Sequence, residues 1–467
     1  MLEADVFQIE SRQFIREVPC RERRDAFSRS GFSLDNFVPA CVLLPRHSVS
    51  DLNPPNQHQR HRIQRILGRD PHEAGRAATT LELLFDLVFV VAIGQAADQL
   101  ARLLAEGHML AAIGGYAFTM LAALWAWVNF SWFSSAFDTD DWLHRIATMV
   151  QMVGATILGF GIPAVFHSLD ASEGIDNGVM VAGYVVMRIA LVFQWLRAAG
   201  QSPQYRKTCL TYGISIVVAQ IGWVAMAALP LTTGQIVPVG VVLMAIEFGG
   251  PYLAEARGAG TPWHAHHIAE RYGGLAIIAL GEGVVGTVAS LSAVVRDHGW
   301  TLDAILVVVA GMGLTFGMWW VYFLFSAGDV LHVRRGRAFK WAFGSIPVVV
   351  AIAATGAGLH VAALVIGHQA LISPVVAVMT LAVPVAMYLA GLYWLHGVLH
   401  GEARWFPLPL LAATALVLVA APVLATIGVS MTLCLLVVMM APAVSVIGYE
   451  TYGFQRTAAA VDSAADS

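Results

Sequence analysis

From Thr80 onward the chain alternates long apolar runs with short polar breaks. The runs lie near 81–104, 108–134, 143–167, 178–199, 209–231, 235–254, 267–294, 302–327, 338–365, 371–396, 406–427 and 429–450. Each is long enough to cross a hydrocarbon core of about 30 Å at about 1.5 Å per residue. Lipid offers backbone amides no hydrogen-bond partner, so each segment must satisfy its own, and these runs are too long and too little alternating to be barrel strands. The pattern predicts an all-α polytopic membrane protein of about twelve transmembrane helices. The prolines inside the runs, Pro163, Pro238, Pro347 and Pro384, do not argue against this, because membrane helices tolerate them.

Residues 1–78 read differently. Their best apolar run, 37–45, is short and holds two prolines, and no basic start leads directly into an apolar core. The expected organisation is a polar, largely disordered extension over 1–78, a first six-helix half over 79–254, a second over 255–454, and a disordered tail over 455–467.

Composition sharpens the picture. Of 467 residues, 57% are hydrophobic and only 12% charged, against about a quarter charged in soluble domains. A net charge of -4 excludes a nucleic-acid binder by bulk charge. The four cysteines, Cys20, Cys41, Cys209 and Cys434, show no paired spacing, so neither a disulfide framework nor a zinc ribbon is expected.

The basic residues set an orientation. With the N-terminus inside, Arg65, Arg69, Arg76, Arg145, Arg197, Arg206, Lys207, Arg257, Arg271, Arg334, Arg335, Arg337, Lys340, Arg404 and Arg456 fall on the cytoplasmic side and Arg296 alone outside. The positive-inside rule then predicts a multi-pass protein of the inner (plasma) membrane with both termini cytoplasmic.

The halves resemble each other. The end of the second run, from Trp127 to Asp138, and the end of the eighth, from Trp320 to Asp329, both set an aromatic, serine-containing stretch before an aspartate. The first and seventh runs open with Glu82 and Glu270, 188 residues apart. A six-helix unit keeps its orientation when repeated, so two parallel six-helix repeats are expected.

Charges within spans are costly, at least about 2.5–3.5 kcal/mol at the centre, and so mark function or pairing. Glu82 and Asp86 lie four residues apart on one face of the first helix. Ionised carboxylates that close repel, which favours a proton or cation there. Glu282 sits midway along the seventh run between Gly281 and Gly283. It must be protonated, paired or hydrated, and Arg188, the other deep charge, is its natural partner. The candidate transport, proton or ion site is therefore Glu82, Asp86, Glu270 and Glu282. Arg188, Arg271, Asp138, Asp141 and Arg145 form a counter-charge network, and Asn129 and His267 a polar wall.

The loop Asp138-Thr139-Asp140-Asp141 reads as a structural charge network through Arg145, with Asp138 or Thr139 as helix cap. Trp125, Trp127 and Trp132, with Trp319 and Trp320, read as packing and interfacial anchors. His266 and His267 relative to Glu270, and His396 relative to His400, have ligand-competent helical spacings, yet HExxH is absent and no cysteine accompanies them, so no metal is expected. No phosphate loop, nucleophile elbow or dinucleotide fingerprint is present, and no cofactor is expected.

Thr80-Leu81-Glu82 through Phe85-Asp86, then Trp127 and Asn129 with Asp138, Asp140 and Asp141, then Glu270-Arg271 with Gly273 and Gly281-Glu282, resemble in order and spacing the motifs of the bacterial low temperature requirement protein A family. His267 fits as well. The resemblance covers about 70–450 and implies a multipass bacterial membrane protein connected with growth in the cold. It implies no reaction, substrate or cofactor.

Three functions stay open. The first is a secondary transporter or channel using the intramembrane carboxylates. The second is a membrane-embedded enzyme on lipid or lipid-linked substrates with His267, Glu270, Asp138 and Asp141 as its acid–base or metal set. The third is a sensor or scaffold without turnover. Expected partners are membrane lipids and a small ion or molecule, with no nucleic acid; homo-oligomerisation stays open.

Overall fold

The computed structural model describes residues 63–453, apart from 74, 173, 230–232, 325 and 401–407. The expected disorder over 1–62 and 455–467 lies outside the described residues, as do Cys20, Cys41, Glu402, Arg404 and Arg456.

Among the described residues there is no strand. The helices are α1 (Thr80–Glu106), α2 (Met109–Phe137), α3 (Trp142–Asp170), α4 (Gly178–Gln201), α5 (Arg206–Ala228), α6 (Thr233–Arg257), α7 (Ala265–His298), α8 (Leu302–Phe323), a short α9 (Ala327–Val333), α10 (Ala338–Ile366), α11 (Pro374–His400), α12 (Leu408–Thr426) and α13 (Met431–Gly448). Eleven of the helical segments are long and apolar enough to cross a membrane, and the apolar stretch of α12, Leu410–Thr426, is shorter. The all-α polytopic class is as expected. The eighth run ends earlier than its hydropathy suggests: α8 stops at Phe323, and α9 turns off as a separate short helix carrying Asp329 and His332.

The halves share part of their neighbour order, although α8 packs broadly on α13 and α2 does not pack in that way on α6. α1 packs on α3, α3 on α4, α4 on α5 and α5 on α6; α7 packs on α10, α10 on α11, α11 on α12 and α12 on α13. Glycine sets the closest crossings. A methyl on Gly183 would stand 2.4 Å from the Leu158 nitrogen, and one on Gly154 2.7 Å from the Gly183 oxygen, so α3 and α4 meet backbone to backbone. In the second half α10 is the central helix, buried on most sides between α7, α11 and α1.

The segment 63–79 packs against the helical body. Ile66 is buried, and its N–H donates to Gln201 Oε1 at 2.8 Å while its carbonyl accepts from Ser202 Oγ at 2.5 Å. Arg69 N–H bonds the Ala136 carbonyl at 2.9 Å. Arg76 donates to the Ser135 and Ser134 carbonyls at 2.5 and 3.1 Å, at the end of α2 where helical carbonyls run out of N–H partners. Burial lowers the Arg76 pKa to about 10, so it stays charged at neutral pH. These residues belong with the helical body at its arginine-rich end.

Candidate functional site

The site begins at the first turn of α1. Thr79 and Glu82 form a capping box: Thr79 Oγ1 accepts from the Glu82 N–H at 3.2 Å, and Glu82 Oε2 accepts from the Thr79 N–H at 2.8 Å. This fixes the Glu82 carboxylate pointing into the bundle. The start of α7 is fixed in parallel, because His264 caps it by accepting from the His267 N–H at 3.2 Å.

Between these helix ends lies a buried charge cluster. Arg271 Nη1 stands 3.0 Å from Glu82 Oε1, and its Nη2 donates to Asp86 Oδ1 at 2.6 Å and to Ser131 Oγ at 3.2 Å. His267 Nε2 is 3.1 Å from Glu82 Oε2, and Ser134 Oγ donates to Glu82 Oε1 at 2.5 Å. Trp127 Nε1 donates to Asp86 Oδ1 at 2.6 Å. Glu82, Asp86, His267 and Arg271 are each at most 1% exposed. Two carboxylates against one guanidinium leave one negative charge, which a single proton within the cluster cancels. Asp86 Oδ2, Arg271 Nε and His267 Nδ1 have no hydrogen-bond partner among the described residues. Glu270 does not join them. It is exposed on α7, where its Oε2 accepts from the Ala78 N–H at 3.2 Å.

Helix α2 supplies much of the polar lining. From Ala123 to Phe137 every side chain is buried. Its three tryptophans are donors rather than interfacial anchors: Trp125 donates to Glu247 Oε2 at 2.6 Å, Trp127 to Asp86, and Trp132 to Glu255 Oε1 at 3.3 Å. Asn129, expected as a polar wall, donates to the Trp125 carbonyl of its own helix at 2.7 Å.

Glu282 is placed apart from this cluster. It lies where α1, α7 and α10 meet, and the glycines of the other two helices make the room. A methyl on Gly94 would stand 3.0 Å from Glu282 Oε1, and one on Gly356 2.5 Å from its carbonyl carbon. Glu282 is half-buried, with neither a hydrogen bond nor an ion pair among the described residues. Asp98 lies one turn beyond Gly94 on α1, its Oδ1 3.7 Å from His360 Nδ1. Asp86 and Gly94 are separated by about 12 Å along α1. The buried Phe89, and Phe85 stacked on Phe130 at 3.9 Å, pack against that stretch.

Arg188 is not the partner of Glu282. Its Nη2 donates to Glu247 Oε2 on α6 at 2.9 Å and to the Tyr184 hydroxyl at 2.7 Å. Glu247 is the carboxylate that sequence reasoning missed. Its signal was available, a lone acid midway along an apolar run. A cavity of about 40 Å³ adjoins the pair, lined by Glu247, Tyr184, Gln220 and Asn177 among others.

The acidic loop also differs from expectation. Asp141, not Asp138 or Thr139, caps α3, accepting from the His144 N–H at 2.8 Å. Its carboxylate is held by Arg197, which bonds both oxygens. Arg145 pairs only with the partly exposed Asp140, at 2.9 Å, and Asp138 faces His144 Nε2 at 3.4 Å. The set expected of a lipid enzyme, His267, Glu270, Asp138 and Asp141, is thus divided among four different partners.

Asp141 gives a pH prediction. Burial alone raises a carboxyl, but Arg197 and the His144 and Gln64 N–H groups hold Asp141 below its ordinary value. A depressed carboxylate stabilises the fold above its unfolded pKa of about 3.9, and that stabilisation is lost as pH falls through the folded value. Thermal unfolding from pH 7 to pH 3 checks this: Asp141→Asn is less stable than wild type at neutral pH, and the gap narrows below about pH 4. A gap that stays constant refutes it.

A cavity of about 250 Å³ opens between α7, α8, α10 and α11, lined by His266, Tyr322, Trp341, Ser345 and His396. None of the candidate carboxylates lines it. At the opposite helix ends Glu106, His108 and Asp170 bring ligand atoms within 4.8 Å of one another.

The family model described as bacterial low temperature requirement A protein (LtrA) matches residues 77–442. A relative described as uncharacterized protein RA0937, from Rhizobium meliloti (strain 1021), is 23% identical over 292 residues, 59% of this chain and 67% of its own. No solved structure matches the chain.

Proposed function

The chain belongs to the bacterial low temperature requirement A family of multi-pass membrane proteins, and from that premise we propose that it is a secondary transporter or channel of the plasma membrane in which Glu282 exchanges a proton or small cation. The observation that carries this reading is a half-buried carboxylate at mid-span with no ion pair or hydrogen bond among the described residues. A charge at that depth is expensive unless a proton, a cation or water meets it. A structural acid would have been given an arginine, as Glu247 is.

In this reading the pathway runs between the two halves, along α1 and α7. Asp98 and His360 relay charge between Glu282 and one face. The Glu82–Asp86–His267–Arg271 cluster closes the route toward the arginine-rich, cytoplasmic face, with Phe85, Phe89 and Phe130 as the dry layer between. The part of the neighbour order that the halves share supports two parallel repeats, the arrangement by which one half rocks against the other. Both termini are then cytoplasmic.

The test is flux in proteoliposomes, with a pH-sensitive dye and a panel of monovalent cations. Wild type carries a flux and Glu282→Gln abolishes it while keeping the wild-type melting temperature. Wild type without flux for any ion, or unchanged flux in the variant, refutes the proposal. The burial and ion pairing of the Glu82–Arg271 cluster favour a second reading, a sensor or scaffold held by structural charges. There Glu282→Gln changes stability and no flux is found in either protein.

A further inference from the structure

We propose that the ion exchanged at Glu282 is the proton, and that the site excludes alkali-metal cations. The inference rests on the transport reading of Glu282 and goes past it by naming the substrate. A proton needs a single base. A dehydrated sodium or potassium ion needs several oxygens in place of its water shell. The two therefore demand different surroundings.

Glu282 has a carboxylate and no cage around it. The helices that meet it present Gly94 on α1 and Gly356 on α10, and glycine brings no side-chain oxygen. Those two sides are also tight: a methyl on Gly94 would stand 3.0 Å from Oε1, and one on Gly356 2.6 Å from the Glu282 Cβ. The hydroxyls on neighbouring turns are committed to backbone. Thr287 donates to the Gly283 carbonyl at 2.6 Å, Ser290 to Leu359 at 2.8 Å, Thr355 to Ala351 at 2.9 Å and Tyr116 to Val350 at 2.7 Å. None of them hydrogen-bonds the carboxylate.

Backbone oxygens are committed as well. Cation sites in transporters borrow carbonyls from interrupted helices. Helices α1 and α7 run unbroken past this level and contain no proline, and the proline of α10, Pro347, lies more than two turns before Gly356. The titratable groups on the flanking helices are Asp98 on α1, His360 on α10 and Tyr116 on α2. No lysine or arginine lies within two turns of Glu282, Gly94 or Gly356 on their own helices, so no fixed cation there competes with the proton. A neutral carboxyl at mid-span needs neither a cage nor a counter-charge.

The test reads protonation directly and needs no flux. Full-length protein in lipid is stepped from about pH 5 to about pH 9, and infrared difference spectra follow the C=O stretch of protonated carboxyls. Wild type loses a carboxyl band across the step, and Glu282→Gln lacks that band. A competing cation lowers the midpoint by up to about one pH unit for each tenfold rise in its concentration. The expected result is no shift with Na⁺, K⁺ or Li⁺. Gly94→Ser sets a hydroxyl beside Oε1 and lowers the midpoint relative to Gly94→Ala, because a hydrogen bond to the charged form favours it. The Gly94 pair keeps Glu282 in place, so the assignment does not hang on Glu282→Gln alone. A midpoint that falls with any of the three cations overturns the proton assignment and leaves the transport reading standing. Wild type without the Glu282 band at any pH overturns it too. A band that titrates as expected in a protein without flux upholds Glu282 as a proton site and refutes only the transport reading.

Discussion

Replacing Arg271 by leucine lowers stability by about 3–5 kcal/mol, the range found when one partner of a buried ion pair is removed. Glu82 and Asp86 are each at most 1% exposed, and Arg271 is the guanidinium that faces both, so its loss strands two carboxylates with only His267 to offset them. Lysine does not repair the loss, because one ammonium cannot reproduce a fork that reaches Glu82, Asp86 and Ser131 together. Removing the acids does repair it. The triple variant Arg271→Leu, Glu82→Gln, Asp86→Asn recovers much of the stability, because it leaves no uncompensated charge. Thermal unfolding in detergent reads all three proteins. An unaltered melting temperature in Arg271→Leu sinks the cluster as the clamp between α1 and α7.

The second large effect is at Gly356. A methyl added there stands 2.5 and 2.6 Å from the Glu282 carbonyl carbon and oxygen, and no rotamer change relieves a contact with backbone. Gly356→Ala therefore has to push α10 away from α7. Overpacking in a tight core costs about 1–3 kcal/mol, and backbone contact places this case at the upper end. Because the same displacement moves Glu282, the variant loses flux as well as stability in proteoliposomes. Gly200→Ala, where nothing lies within 4 Å of an added methyl, is the matched control. Equal melting temperatures for the two variants show that α7 and α10 are looser than this packing requires.

Much of the architecture was legible because the bilayer imposes a length and a composition on every span. The apolar runs match the helices to within a few residues, and the early end of α8 was hidden because hydropathy continues unbroken through the turn after Phe323. The candidate site was legible only in part. Glu82, Asp86, His267 and Arg271 were singled out and lie together. The Thr79-x-x-Glu82 capping box was readable as a local signature and explains why Glu82 points inward. Pairing was not readable. Nothing in the sequence says that α4 faces α6, so Arg188 was matched to the most conspicuous acid, Glu282, instead of to Glu247. Likewise the tryptophans of α2 carry the interfacial signature by residue type, and only the packing of α1 and α6 around them turns their N–H groups toward carboxylates. Arg145 was the nearest basic residue in sequence to Asp141, but Arg197 is the nearer in space.

The three indoles of α2 have a mechanical consequence. Each is hydrogen-bonded to an acid on a neighbouring helix: Asp86 on α1, and Glu247 and Glu255 on α6. Sliding α2 by one full turn, about 5.4 Å, pulls all three bonds out of range together. The helix therefore has no intermediate stops, and α1, α2 and α6 travel as one piece or α2 lets go of both at once. Indole emission registers that release directly, so the protein carries its own optical gauge of whether its first half ever comes apart.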